Sequence, residues 1–195
     1  MSQAQDGGSD RDDADRVDPV FEDTPRGALP VVERALGRTA ERLPDVDRAA
    51  MTMVLLLHRV ANTVVYDLES TVHRPAGWSW SAFRLVFTLW ASGPQESSRA
   101  AELTGMSRAA VSSLSKTLSA SGLVRSTPAD RDRRAVVLSL TDEGTERLES
   151  TFQAHNAREA EWAGLLTADE VATLNVLLTK LASAAQTANW VSHRS

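Results

Sequence analysis

Residues 97–140 read SSRAAELTGMSRAAVSSLSKTLSASGLVRSTPADRDRRAVVLSL, and the order of patterns in this stretch is the most informative in the chain. Apolar residues at helical spacing predict two short helices, over residues 98–104 and 107–121. Gly105 lies in the short gap between them, and Gly122 suits the left-handed position that follows a helix end. The stretch therefore begins with a predicted pair of helices around a tight turn.

The second of these helices has two different faces. Val111, Leu114 and Leu118 recur at spacings of three and four, so their face is predicted to pack inward. The opposite face is small, hydroxylated and basic, and it is slim enough to enter a DNA major groove about 12 Å wide. It presents Ser107, Arg108, Ala109, Ser112, Ser113 and Lys116. Hydroxyls and cations of this kind bind bases or phosphates, although a solvated helix face can have the same composition.

A basic hairpin is predicted to follow this helix. Residues 123–126 and 135–140 have the pattern of strands, and the turn-rich residues 127–134 join them. Three arginines crowd the turn, namely Arg131, Arg133 and Arg134. They repel one another, and insertion into a DNA minor groove is one way to neutralise them. Asp132 is predicted to pair with Arg134 and hold the hairpin rather than to bind a metal. This order of elements predicts a winged helix-turn-helix with double-stranded DNA as its partner.

Charge is distributed unevenly along the 195 residues, whose net charge is −5. Residues 1–26 hold eight acidic residues and three arginines. They are too polar to bury a core, so we expect a disordered acidic tail. Residues 97–140, in contrast, hold seven basic and three acidic residues. The overall acidity therefore hides a basic patch whose placement suits nucleic-acid binding.

Several classes of protein are excluded by what the sequence lacks. It contains no cysteine, which excludes disulfides, thiol nucleophiles and thiolate metal sites. Its longest uncharged stretch, Leu181–His193, falls short of the ~20 apolar residues of a membrane span. The first residues do not resemble a signal peptide. We therefore expect a cytoplasmic protein with no membrane association.

Long amphipathic helices flank the basic region on both sides. On the N-terminal side, apolar spacing predicts a short helix and then a long one from Asp45 to about Val72. On the C-terminal side, one helix opens at Thr141, and Thr167-Ala-Asp-Glu170 is a capping box that opens the last one. An apolar seam of the kind that packs against another helix contains Leu148, Phe152, His155, Trp162 and Leu166. The fold class is therefore predicted to be mostly α, with a minor β component.

The hairpin also carries a family resemblance. The segment Asp132-Arg-Arg-Ala-Val-Val-Leu-Ser-Leu-Thr141 matches the MarR-family wing signature Asp-x-Arg-x-x-x-Leu-x-Leu-Thr at every specified position, and Gly144 follows as in the family. Residues 100–107 and 118–124 also match that family's helix-turn-helix. The chain thus resembles a MarR-family transcriptional regulator over roughly residues 45–188.

This resemblance has implications for organisation and function. It implies a MarR-like domain over residues 27–195, with dimerisation helices at about 30–72 and 142–188 and the winged helix-turn-helix at about 79–141. It also implies a homodimer that binds a pseudo-palindromic operator, and a repressor that responds to a ligand. Two other classes of protein compete with this interpretation.

The first competing class of protein is an enzyme. The sequence contains no Gly-rich phosphate loop and no zinc-protease histidine pair, and its four histidines are scattered. We therefore predict no catalytic residue, no metal and no cofactor. The second is a dimeric winged-helix scaffold that binds a protein instead of DNA. The basic hairpin favours DNA, and the salt dependence of DNA binding separates the two.

An effector site is the last sequence-based hypothesis. Members of the family often bind small aromatic or anionic molecules between the dimer helices and the DNA-binding lobe. Candidate residues in this chain combine aromatic rings with cationic or polar groups, which suits a phenol or a carboxylate. They are His58, Trp78, Trp80, Phe83 and Arg84. Each of them also has a structural interpretation, as a core residue, a cover for the hinge or a hydrogen-bond partner.

Overall fold

The structure is a computed structural model that describes residues 28–43, 45–129 and 135–188. Its elements in chain order are α1 (Ala28–Arg42), α2 (Arg48–Leu68), a π-turn (Glu69–His73), α3 (Trp80–Ser92), β1 (Gln95–Glu96), α4 (Ser97–Thr104), α5 (Arg108–Ala120), β2 (Val124–Pro128), β3 (Val136–Leu140), α6 (Asp142–Ala163) and α7 (Ala168–Thr187). The predicted class, mostly α with a minor β component, is confirmed.

Hydroxyl side chains determine where three of the helices begin. The side-chain oxygens of Ser79, Ser107 and Thr141 each accept a hydrogen bond from the backbone N–H three residues further on, at 3.0–3.1 Å. Such bonds satisfy N–H groups that have no partner inside the helix. The predicted capping box is also present, because the Glu170 carboxylate accepts from the Thr167 backbone N–H at 2.8 Å.

The three strands form a small antiparallel sheet in the order β1-β3-β2. In the β2–β3 hairpin, Val124 pairs with Leu140 and Pro128 pairs with Val136. Gly122 precedes the hairpin with φ of +76°, which confirms the predicted left-handed position. The two-residue strand β1 was not predicted, since it is too short to show an alternating pattern.

A buried core holds the second helix of the pair in place. It contains Leu85 and Val86 of α3, Leu138 of β3 and Leu148 of α6. From α5 it takes the predicted inward face, since Val111 and Leu118 are buried and Leu114 packs against the core. The opposite face of α5 is left for solvent or for a partner.

The apolar seam of α6 packs against α3 and the π-turn of its own chain. Leu148 and His155 are buried within their own chain, and Phe152 packs against the same core. The Trp162 indole N–H donates to the Asp67 carboxylate at 2.8 Å. Residues of α3 and of the π-turn cover this seam, because they lie against α6 in the same protomer. Only Leu166, which is 41% exposed, remains open at the end of the seam.

The chain divides into two compact units, with the boundary between Val64 and Val65. In the first unit, α2 exposes a series of large apolar side chains, namely Met53, Val54, Leu56, Leu57 and Val60. In the second unit, α7 exposes Leu174, Val176, Leu177, Leu178 and Leu181. Each helix therefore presents an apolar face that the described residues of its own unit leave uncovered.

One helical stretch has the length and composition of a membrane span. Residues Arg48–His73 reach a mean hydropathy of 1.3 over 18 residues, with none of that window buried. The sequence prediction missed this stretch, because scattered charged residues divide it into shorter uncharged runs. An apolar helix face that another subunit covers has the same length and composition.

Candidate DNA interface

The predicted recognition face of α5 is fully presented to solvent. Its six residues are all exposed, and they are Ser107, Arg108, Ala109, Ser112, Ser113 and Lys116. The face carries four small residues and two cations, so the helix backbone can come close to a surface that it contacts. Such a face suits hydrogen bonding to base edges and phosphates in a major groove.

The turn before α5 is tightly held. Gly105 ends α4 in the left-handed conformation, with φ of +67°. Thr104 is buried, and its hydroxyl donates to the Ala100 carbonyl at 2.7 Å and accepts from the Met106 N–H at 3.3 Å. These bonds tie the turn residue Met106 back to α4 through one side chain, which restricts the conformation of the turn that leads into α5.

The base of the hairpin is anchored to α6. The Thr141 hydroxyl donates to the Gly122 carbonyl at 2.6 Å. A Cβ atom on Gly144 would lie 2.1 Å from the Leu123 carbonyl oxygen, so the first turn of α6 touches the backbone at the start of the hairpin. The family signature places a glycine here, and this close approach is its physical reason.

The tip of the hairpin lies outside the described residues. Arg131, Arg133 and Arg134, and the wing-stabilising residue Asp132, therefore remain predictions from the sequence. Arg125 on β2 is described and exposed. It adds an exposed cation to the hairpin, and the sequence analysis predicted no DNA contact for it.

The predicted effector residues occupy several different environments. Trp78 is buried, and its indole N–H donates to the Thr151 hydroxyl at 3.0 Å. Phe83 is also buried in the core, whereas Trp80 is half-buried, and their ring centroids lie 6.3 Å apart. His58 belongs to the other unit, where it is exposed and lies 3.3 Å from the Asn62 amide.

Arg84 also has protein partners. Its guanidinium donates from Nη2 to the Thr104 carbonyl and lies 5.9 Å from the centroid of the Trp80 ring. The structure thus brings Trp80, Phe83 and Arg84 close together. The hydrogen bond of Arg84 is made at the turn between α4 and α5.

An open cleft of about 270 Å³ lies elsewhere in the second unit. It is lined by Trp90, Leu148, Glu149, Phe152 and Gln153. The Trp90 indole N–H donates to the Glu149 carboxylate at 3.1 Å. None of the predicted effector residues lines this cleft.

Two histidines that lie 82 residues apart in the sequence meet in the second unit. His73 Nε2 lies 3.0 Å from His155 Nδ1, and His155 Nε2 lies 3.0 Å from a Glu159 carboxylate oxygen. His73 is fully buried and stacks on the Phe83 ring, with centroids 4.2 Å apart. Burial and the neighbouring His155 lower the pKa of His73 to about 4. The sequence offered no signal for this pair, because neither histidine belongs to a local motif.

A partly buried ion pair lies near the same end of α6. Arg158 donates to both carboxylate oxygens of Asp67, from Nε at 2.7 Å and from Nη2 at 2.8 Å. These bonds, followed by the one from Trp162, lower the pKa of the Asp67 carboxyl. Two bonds in parallel fix the geometry of such a pair, so it ties the C-terminal turns of α2 to α6.

The described geometry defines a winged helix-turn-helix DNA-binding protein. The model of the MarR family matches residues 78–136, which run from the start of α3 into the hairpin. Over 133 residues the chain is 34% identical to the uncharacterised HTH-type transcriptional regulator YwaE of Bacillus subtilis, covering 68% of this chain and 78% of that protein. The chain belongs to the MarR family of transcriptional regulators.

Solved structures share the fold. A mutant MarR from Escherichia coli in complex with operator DNA matches with a TM-score of 0.62 and 24% identity, over 73% of this chain and 96% of that one. PcaV from Streptomyces coelicolor, in complex with its natural ligand, matches with a TM-score of 0.56 and 21% identity, over 67% and 92% of the two chains. At these identities the likeness is one of fold.

Proposed function

We propose that the protein is a homodimeric repressor that binds a pseudo-palindromic operator and is released by a small effector. The observation that carries the DNA-binding part is the exposed face of α5, where all six predicted contact residues face solvent on a helix held by buried Val111 and Leu118. A major groove accepts a helix with such a slim polar face. The arginines of the hairpin tip are assigned to the adjacent minor groove.

The dimer is supported by the uncovered apolar faces. Four leucines of α7 lie at helical spacing on one side, namely Leu174, Leu177, Leu178 and Leu181. A monomer in water rarely exposes a contiguous apolar patch of this kind. A second copy of the chain covers it in our proposal, and a two-fold dimer places two recognition helices on two half-sites.

The effector part of the proposal is supported by the MarR-family relationship and by the ligand-bound PcaV fold relative. The residues proposed from the sequence are His58, Trp78, Trp80, Phe83 and Arg84. Burial of Trp78 and Phe83 favours Trp80 as the ring that a ligand can reach. An aromatic or anionic molecule remains the proposed ligand class, and the cytoplasm is the proposed location.

Quantitative DNA binding tests this proposal. Duplexes selected by the purified chain from a random pool supply the operator, and fluorescence anisotropy measures the affinity for it and for a scrambled duplex. If the dimer neutralises ~6–10 phosphates, affinity should fall roughly 10³–10⁵-fold between about 50 and 200 mM salt. Arg108→Ala should cost about 1–3 kcal/mol more on the operator than on the scrambled duplex, as the loss of a base contact does.

A matched control is available immediately after the π-turn. Arg74 lies just beyond it, is 63% exposed in its side chain and pairs with Glu69 at 3.7 Å. Arg74→Ala removes the same charge and should leave the operator preference unchanged. If the affinity for both duplexes does not change with salt concentration, DNA binding is contradicted and the protein-binding scaffold is favoured.

A further inference from the structure

Arg84 connects the helix behind the DNA-binding pair to the turn inside that pair. It lies on α3, and its guanidinium donates from Nη2 to the backbone carbonyl of Thr104. Thr104 is the last residue of α4. A carbonyl at a helix C-terminus has no partner within the helix, and a cation there also opposes the negative end of the helix dipole. Arg84 therefore fixes the end of α4 from outside.

The position of this carbonyl affects the next helix directly. Gly105 and Met106 are the only residues between Thr104 and Ser107, which caps α5. The Arg84 Nη2 atom also lies 3.9 Å from the point that a Cβ on Gly105 would occupy, so the guanidinium lies beside the turn itself. With so short a connection, a shift at Thr104 changes the direction in which α5 leaves the turn.

The Arg84 guanidinium also contacts an aromatic ring, that of Trp80. Arg84 Cζ lies 5.9 Å from the centroid of the Trp80 ring, and Trp80 stacks on the buried His73 ring at 5.4 Å. A cation over an aromatic face is attracted by the ring electrons. Trp80 is fixed by the buried cluster, and it therefore restricts the place that the guanidinium can occupy.

We propose that Arg84 is a positioning residue for sequence recognition: it sets the angle at which α5 is presented to the major groove. The proposal rests on the DNA-binding function proposed above. Phosphate contacts from flexible side chains tolerate a small tilt of the helix, whereas hydrogen bonds to base edges require a defined distance and direction. Loss of Arg84 should therefore reduce discrimination between sequences more than affinity for DNA in general.

The test compares Arg84→Gln with the wild-type full chain on the selected operator and on the scrambled duplex at one salt concentration. We expect the ratio of the two affinities to fall about tenfold in the variant, which corresponds to the loss of one base contact. Affinity for the scrambled duplex should stay unchanged. Arg84→Lys, which restores a cation able to donate to the Thr104 carbonyl, should recover part of the ratio.

Controls separate positioning from a loss of folding. A variant that is merely less folded loses affinity for both duplexes by the same factor, and thermal unfolding measures its folded fraction. If Arg84→Gln does not fold, Arg84→Met, which keeps the aliphatic stem, takes its place. Arg74→Gln serves as the matched control and should keep the wild-type ratio.

The outcomes are distinguishable. Two results with a fully folded Arg84 variant would overturn the positioning role and leave the proposed function intact, provided that the wild type discriminates. In the first, the variant discriminates as well as the wild type. In the second, it loses affinity for both duplexes by the same factor. A wild-type protein with no preference for the selected duplex would overturn the proposed function and the positioning role with it.

Discussion

His73 is a buried histidine whose two ring nitrogens have different surroundings. The Glu159 carboxylate can only accept a hydrogen bond when it is ionised, so His155 donates to it from Nε2 and accepts from His73 at Nδ1. His73 then carries its proton on Nε2. Within the described part of the chain, nothing bonds to its buried Nδ1. Protonation would place an N–H there without an acceptor, which agrees with the lowered pKa.

This histidine should make the stability of the fold depend on pH. Its pKa is about 4 in the folded chain, whereas an unperturbed histidine has a pKa of 6.5. The unfolded chain therefore binds more protons between these values, so the contribution is fully present above pH 6.5 and is lost as the pH falls toward 4. The loss by pH 4 is about 3 kcal/mol.

Urea unfolding of the wild type and of His73→Phe between pH 7 and pH 4 measures this contribution. The variant leaves His155 Nδ1 without its partner, so its stability at pH 7 should be lower. Its stability should then fall less on acidification, because the group that binds the extra proton on unfolding is gone. Parallel curves for the two proteins would show that His73 is not the responsible group.

At the scale of elements, the hairpin and α6 depend on a glycine that lies in ordinary helix. A Cβ on Gly144 would lie 2.1 Å from the Leu123 oxygen and 3.0 Å from the Leu123 carbonyl carbon, and both of these are backbone atoms that no side-chain rotation can move. The contact therefore requires glycine because of space and not because of backbone angles. It holds the start of β2 against the first turn of α6.

Gly144→Ala should force these two elements apart. Overpacking of this kind typically costs about 1–3 kcal/mol or more, and the melting temperature should fall accordingly. Gly37→Ala in α1 is the matched control, since its Cβ meets nothing within 4 Å. Alanine there should stabilise the helix by about 0.5–1 kcal/mol. Equal effects of the two substitutions would contradict the close approach.

At the scale of the whole molecule, the apolar face of α7 determines the expected assembly. Obligate dimers bury more than about 2,000 Å² in total, and the exposed leucines of α7 are suited to contribute to such an area. Leu177→Asp combined with Leu181→Asp should convert the proposed dimer to a monomer, since two carboxylates cannot be buried unpaired at an interface. Light scattering at micromolar concentration measures the mass of each protein.

The control for this change is Thr179→Asp, which adds a carboxylate to an exposed position on a different side of α7. It should leave the dimer intact. A wild-type chain that scatters as a monomer at micromolar concentration would contradict the proposed assembly. A double variant that stays dimeric would place the interface on another surface.

The sequence by itself determined the features that depend on local spacing. The inward face of α5, the start of α6 at Thr141, the left-handed Gly122 and the capping box at Thr167 are all readable, because each depends on residues within a few positions of one another. The same holds for the exposed face of α5. Its residue types and its period of 3.6 suffice to place it opposite the buried Val111 and Leu118.

Only the tertiary structure decided what depends on contacts between distant segments. The sequence suggested that the seam of α6 packs against another helix, but it could not show that α3 and the π-turn of the same chain cover Leu148 and His155. It left open whether Arg84 binds a ligand or makes a structural hydrogen bond, and the folded chain brings the Thr104 carbonyl within reach of its guanidinium. The pairing of His73 with His155 likewise has no local pattern. Such contacts depend on how the helices pack. Packing brings together residues that are far apart in the sequence, and such residues form no periodic pattern that could predict their contact.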